Sequence, residues 1–196
     1  MDYMSTAREA ALKAGRILRD NFSGSREITY KGEINLVTEM DTRSERAVVE
    51  TLRRVFPEHG ILAEEETKIE NNSPFRWIID PLDGTTNYAH GYPCFSVSIA
   101  LERDKDIILG VVYDPMRDEL FAAQKGQGAY LNDAKIKVSG VGTLIKSLLA
   151  TGFPYDRAKS EKNNLDYFSA LLMASQEVRR DGSAALDLCY VAAGRF

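Results

Sequence analysis

The stretch Trp77-Ile78-Ile79-Asp80-Pro81-Leu82-Asp83-Gly84-Thr85-Thr86-Asn87 restricts the possible folds of this chain more than any other. An apolar run, which predicts a buried strand, stops at two carboxylates with a proline between them and a glycine and two hydroxyls behind. Proline fixes its own φ and pushes the residue before it out of the helical region. The spacing therefore predicts a turn at the carboxyl end of a strand, with Asp80 and Asp83 pointing at one place. Two carboxylates brought together repel unless something positive lies between them. Oxygen-only donors suit Mg²⁺ or Mn²⁺ rather than zinc, since no Cys or His stands at zinc spacing, and the Leu82 carbonyl is a natural further donor. Gly84, Thr85 and Thr86 add backbone N–H groups and hydroxyls, and a helix opening there would favour an anion. Phosphoryl chemistry is the natural inference, although an Asp-Pro-x-Asp-Gly string is also ordinary turn chemistry.

A second acidic site supports that inference. Gly60-Ile61-Leu62-Ala63 reads as a short buried strand ending in Glu64-Glu65-Glu66. If this strand neighbours the Trp77 strand, a carboxylate there can join the Asp80 turn, hold a second metal ion and orient a water, the arrangement of two-metal hydrolysis. Taken alone, three such glutamates are more often a solvated acidic face. His59 and His90 are lone histidines, read as structural or surface residues, and Arg179-Arg180 as solvent-exposed.

Around these sites the periodicity defines two halves. Met4, Ala7, Ala11, Ala14, Leu18 and Phe22 recur at helical spacing, predicting a helix that ends near Ser23-Gly24. Glu27 to Tyr30 is a short strand and Lys31 to Asn35 a loop. A second helix spans about Met40 to Phe56, with Ala47, Val48, Leu52, Val55 and Phe56 inward. Polar residues from Lys68 to Pro74 predict a mobile loop. Strands at 95–102, 107–113, 119–123 and 128–131, separated by turn residues, have the spacing of an antiparallel meander. The first half, 1–139, is α+β. The second, 140–196, offers a strand at 148–151, a helix at 163–175, a strand at 177–180 and a helix at 184–193. An α/β layer of that kind normally needs further strands, so the carboxyl half reads as incomplete.

Composition excludes several classes. A net charge of −4 and the lack of any Lys/Arg cluster argue against nucleic-acid binding. No run approaches the ~20 apolar residues that span a bilayer, and Met1-Asp2-Tyr3-Met4 does not open a signal peptide. Cys94 and Cys189 read as free thiols of a cytoplasmic protein.

Three motifs taken in order resemble the inositol monophosphatase family, within the Mg²⁺-dependent, lithium-sensitive sugar-phosphate phosphatases. Ile61-Leu62-Ala63-Glu64-Glu65 is similar to its short strand with paired glutamates. Asp80 to Tyr88 matches its Asp-Pro-(Leu/Ile)-Asp-Gly-Thr-Thr-Asn-(Phe/Tyr) signature. Gly182-Ser183-Ala184-Ala185-Leu186 resembles its small-residue helix start. Asn35-Leu36-Val37-Thr38 with Asp41 resembles the loop that covers the site.

The resemblance implies a layered α/β/α/β/α sandwich of the inositol monophosphatase/fructose-bisphosphatase type, two or three Mg²⁺ ions (Mn²⁺ possible), a phosphorylated polyol or sugar substrate and a homodimer. By position, Glu64, Asp80 and the Leu82 carbonyl would hold one ion, and Asp80 with Asp83 a second. Glu64 and Thr85 would orient the attacking water. Asp83, Gly84, Thr85 and Thr86 would contact the phosphate, with Gly182, Ser183 and Ala184 near the sugar and Glu65 and Asp41 behind the ligands. Fructose-1,6-bisphosphatase or dual-specificity activity is the alternative within the family, and a non-catalytic dimerising module the alternative outside it. The family also carries a metal-binding aspartate in a Trp-Asp-x-Ala-Ala-type motif beyond the last helix read here, and no such motif occurs in the sequence. That difference implies a weakened second ion and exposed apolar sheet surface.

Overall fold

The structure is a computed structural model. It describes residues 2–22, 28–30 and 36–196, of which 28–30 and 36–38 are described as backbone only. The helix stop at Ser23-Gly24, Glu27, the Lys31–Asn35 loop and the covering-loop side chains from Asn35 to Thr38 lie outside the described residues. In chain order the elements are α1 (Tyr3–Asp20), β1 (Ile28–Tyr30), β2 (Leu36–Thr38), α2 (Glu39–Val55), β3 (Gly60–Ala63), β4 (Lys68–Ile69), β5 (Phe75–Asp83), α3 (Thr85–Ala89), β6 (Ser96–Arg103), β7 (Asp106–Asp114), β8 (Glu119–Gln124), β9 (Gly128–Leu131), β10 (Ala134–Lys135), β11 (Leu148–Ala150), α4 (Leu165–Ala174), β12 (Glu177–Arg179) and α5 (Ala184–Ala192).

Strands β3 to β10 form one sheet in the order β10-β9-β8-β7-β6-β5-β3-β4. Only β3 and β5 run parallel, and the meander expected over 95–131 is present strand for strand. Its turns use the residues that tolerate positive φ: Asp104, Asp118, Asn132 and Asp133 all lie there. The small residues Ala7, Ala10, Ala11 and Ala14 bring α1 close to the sheet, and α2 joins it through Val48 and Leu52. Both helices cover one face, burying Trp77, Ile79, Leu82, Val97, Ile99, Leu101 and Val111. Each large side chain buried this way contributes roughly 1.5–3 kcal/mol. The opposite face receives α5, whose Leu186 and Tyr190 pack with Cys94 and Phe121. Both cysteines are free, Cys94 buried and Cys189 half-buried.

Two expectations are corrected. Lys68 to Pro74 is not wholly loop, because Lys68 and Ile69 pair antiparallel with Leu62 and Ile61 and Ile69 packs on the core. A single apolar side chain suffices to lay this segment along the sheet edge. Nor does the Trp77 strand stop at Asp80, since β5 continues through Pro81 to Asp83. Pro81 lacks an N–H, and a strand tolerates that where its ladder is already irregular.

In the carboxyl half β11 and β12 form a two-stranded parallel sheet. None of the residues of α4 is buried, and Tyr167 and Met173 are 74% and 84% exposed. Parallel sheets are ordinarily covered on both faces. Among the described residues no helix is long and apolar enough to cross a membrane.

His59 is a core residue, stacked between Phe56 (4.9 Å, 11°) and Phe75 (4.8 Å, 18°), with Nδ1 buried and unpartnered. Burial lowers its pKa from 6.5, and Glu58 opposes this only in part. The unfolded chain therefore takes up a proton at higher pH than the folded one. Stability should be full above about 6.5 and fall as the pH drops towards the folded value. His59→Phe keeps the stack and removes the proton. Urea unfolding between neutral and mildly acidic pH should show a shallower stability loss in this variant, and a slope equal to wild type would refute the assignment.

Candidate active site

The two aspartates are brought together by a bulge. Along β5 and β6, Asp80 faces Ser98 and Asp83 faces Ser96, so three steps on one strand match two on the other. Without the extra residue, side chains three apart would lie on opposite faces of the sheet. With it, Leu82 joins Trp77 and Ile79 in the core, and Asp80 and Asp83 share the other face. The bulge is pinned from both sides. Ser44 Oγ donates to the Pro81 carbonyl at 2.8 Å, and Leu82 N–H donates to Asp80 Oδ1 at 3.1 Å.

Glu64 arrives on the neighbouring parallel strand. Ala63 is in register with Ile79, and Glu64 N–H donates to the Ile79 carbonyl at 3.1 Å. The turn after it closes with Ala63 N–H on the Thr67 carbonyl at 2.9 Å. Glu45, on α2 and 2% exposed, organises that turn. Its Oε2 accepts from Glu65 N–H at 2.9 Å, and its Oε1 from Glu66 and Thr67 N–H at 3.1 and 2.9 Å. Glu65 thus meets the acid of α2 through its backbone.

Gly84 links strand to helix with φ +104°, and a Cβ there would stand 2.9 Å from the Cys94 carbonyl oxygen. Only glycine fits both constraints. Thr85 Oγ1 lies 3.1 Å from buried Asp41 Oδ1 and 3.1 Å from the Leu82 carbonyl oxygen, while Thr86 is exposed. The first turn of α3 has N–H groups without intrahelical acceptors.

The third contribution comes from α5. Asp83 Oδ2 accepts from Ser183 Oγ and from Ala185 N–H, both at 2.7 Å, so the site carboxylate also secures the start of that helix. Ser183 is the N-cap residue, its hydroxyl accepting from Leu186 N–H at 3.4 Å. Ala184 is exposed. Asn87 Nδ2 donates to the carbonyls of Cys94 and Asp181, each at 2.7 Å.

Electrostatically, the centre is overloaded with negative charge. Burial, then the carboxylates of Glu64 and Asp83, and a hydrogen bond with Glu64 push Asp80 up to about 8. Burial, then Asp181 and Asp83, push Asp187 up to about 6 against the opposing Arg180, and its Oδ1 is buried without a partner. Among the described residues no three His, Cys, Asp or Glu side chains form a ready-made metal cage. Asp83 has committed one oxygen to α5, and Glu64 is exposed. The donors nevertheless fit a divalent cation: all are oxygens, and the crowding that pushes the Asp80 carboxyl up is what a cation would relieve.

Glu64, Asp80, Asp83, Gly84, Thr85 and the 182–184 turn thus converge, with Asp41 behind Thr85. Arg179 and Arg180 are exposed and His90 is on the surface. Sequence reasoning did not single out Ser44, Glu45, the amide of Asn87 or Asp187. The first two carried a signal, because they continue the stripe of Val48 and Leu52 on α2 as polar residues in apolar positions.

Residues 1–196 match the sequence profile of the Inositol monophosphatase family. The chain belongs to this family. An inositol-1-monophosphatase from Synechocystis is 47% identical over 99% of the chain and 68% of the relative. A Haemophilus influenzae protein named Nus factor SuhB is 44% identical over 98% of the chain and 73% of its own length. Among solved structures, an inositol monophosphatase from Anabaena superposes with a TM-score of 0.88 at 48% identity, covering 98% of this chain and 71% of that one. The layered α/β sandwich of the inositol monophosphatases is therefore the fold of this chain, with the Asp80–Asn87 signature at the edge where β3 and β5 end.

Proposed function

We propose that the chain is a divalent-cation-dependent phosphomonoesterase acting on inositol monophosphate or a related polyol phosphate. The observation that carries this is the crowding of Glu64, Asp80 and Asp83 at the ends of two parallel strands, directly before the Gly84–Thr86 turn. Glu64, Asp80, Asp83 and the Leu82 carbonyl would hold Mg²⁺ or Mn²⁺. What such a cation supplies is charge neutralisation and a water acidic enough to attack phosphorus near neutral pH. Thr85 Oγ1, donating towards Asp41 Oδ1, keeps lone pairs free to accept a hydrogen bond from water, and Glu64 is exposed where it can orient the same water. The N–H groups of the Gly84–Thr86 turn bind phosphate oxygens. The Gly182–Ala184 turn, fixed through Asp83, receives the alcohol portion of the substrate.

The test is phosphate release from inositol 1-phosphate, fructose 1,6-bisphosphate and adenosine 3',5'-bisphosphate, each with Mg²⁺ and with EDTA. The expected result is Mg²⁺-dependent release that is fastest from inositol 1-phosphate and is inhibited by Li⁺. Absence of release from all three would overturn the proposal, and preference for the bisphosphates would redirect its substrate class.

A further inference from the structure

We infer that Asn87 is a positioning residue that sets the spacing between the phosphate-binding turn and the turn that receives the substrate alcohol. The inference rests on the phosphomonoesterase reading above and deepens it. Asn87 belongs to α3, immediately after Thr85 and Thr86. Its two amide hydrogens are both committed, one to the Cys94 carbonyl and one to the Asp181 carbonyl at 2.7 Å each. Both partners are acceptors, so only Nδ2 can face them. One bond ties α3 to the segment entering β6, and the other crosses to the residue before Gly182. A single planar amide thus joins the two turns that carry Thr85 and Ser183.

The opposite side of the contact is shaped to match. Gly182 has φ +90°, and a Cβ built on it would lie 2.8 Å from Asn87 Nδ2 and 3.0 Å from Asn87 Oδ1. The glycine leaves the space that the amide occupies. Asp83 adds a second tie to the same turn, through Ser183 and Ala185. Asp83 is committed to the acidic centre, however, whereas Asn87 has no part in it. Removing the Asn87 amide frees the alcohol-side turn from α3 and also releases the Cys94 carbonyl, while Glu64, Asp80 and Thr85 keep their own supports on α2. A substrate that needs both turns loses affinity, and one held by its phosphate alone does not.

The experiment compares wild type, Asn87→Ala, Gly182→Ala and the double variant on inositol 1-phosphate and on phenyl phosphate with Mg²⁺, alongside amide hydrogen exchange over residues 181–187. For Asn87→Ala, kcat/KM on inositol 1-phosphate should fall about tenfold, mainly through KM, while phenyl phosphate changes by less than about threefold. Exchange at Ala185 and Leu186 should speed up while the β6–β8 core stays protected. Gly182→Ala should show the same selectivity, and the double variant should lose less than the two singles combined, because truncating the amide relieves its clash with the new Cβ while the positive-φ strain and the approach to Arg180 Nη1 remain. If Asn87→Ala does not fold, Asn87→Ser, which keeps one donor, is read in the same way. Equal losses on both substrates, no loss on either, unchanged exchange or additive single effects would overturn the inference. If wild type hydrolyses neither substrate, the phosphomonoesterase reading fails, and the exchange result alone decides whether Asn87 positions the turn.

Discussion

Asp80→Asn should make the cation-free protein more stable at neutral and alkaline pH while abolishing its response to Mg²⁺. Asp80 is crowded by burial and by Glu64 and Asp83, and its carboxyl rises from 3.8 to about 8. For an acid whose folded pKa lies above its unfolded value, stability is complete below the unfolded pKa. It declines as the pH climbs towards the folded one, because the unfolded chain releases the proton more readily. The cation-free wild type therefore loses stability between about pH 4 and pH 8. Asparagine has no proton to lose and keeps the oxygen that accepts from Leu82 N–H. The gain should be a few kcal/mol, at most about 5, near pH 8 and close to zero near pH 4. Saturating Mg²⁺ should narrow this gap at alkaline pH and put wild type ahead near pH 4, where the variant has no advantage. Wild type gains roughly 2.7 kcal/mol at a cation concentration of 100 times Kd, and the variant gains little. Phosphate release should fall by at least about 10³-fold, since the lost carboxylate is asked to act on charge in the transition state. Unfolding in EDTA and in excess Mg²⁺ at several pH values checks each part. A variant that is less stable than wild type in EDTA at alkaline pH, or that keeps the wild-type Mg²⁺ shift, would remove Asp80 from the cation site.

The contrast between Asp80 and Glu45 shows where sequence reasoning stops. Asp80, Asp83 and the Gly84–Thr86 turn are local: the proline, the glycine and both acids lie within a few residues, so their convergence is written in their spacing. Even there the geometry differs from a simple turn, because the two acids share a face through a register slip against Ser96 and Ser98. No single strand's sequence specifies its partner's register. The meander from Ser96 to Leu131 was legible for the same local reason, alternation plus Asp and Asn turns. Contacts that span the chain were not. Asn87 reaches Asp181, and Asp83 reaches Ser183 and Ala185, only because α5 packs on the sheet face opposite α1 and α2. Ser44 and Glu45 lie between these cases. They repeat with Asp41 and Val48 at helical spacing, so they had to be buried, but their partners on the Pro81 bulge and the 65–67 turn depend on how α2 crosses β5 and β3.

Glu45 carries the second large prediction because one side chain serves three donors. Its two oxygens accept from the N–H groups of Glu65, Glu66 and Thr67, all in the turn that directs Glu64 to the acidic centre. Hydrogen bonds to a charged acceptor contribute about 1.5–3 kcal/mol each, and a donor stranded away from water costs about 1–3 kcal/mol. The turn is partly exposed, so water recovers some of that cost. Glu45→Ala should therefore lose about 3–5 kcal/mol of unfolding free energy. Glu45→Gln retains one accepting oxygen but turns an amide NH₂ towards a third N–H, and should lose about 2 kcal/mol. In both variants the 65–67 amides should exchange faster and Mg²⁺ should stabilise the fold less, although Glu45 is not itself a proposed ligand. That combination separates Glu45 from an ordinary buried polar residue, whose loss would lower stability and leave the Mg²⁺ increment intact. Wild-type stability in Glu45→Gln, or a full Mg²⁺ increment in a destabilised Glu45→Ala, would show that the Glu64 turn holds its shape without the carboxylate beneath it.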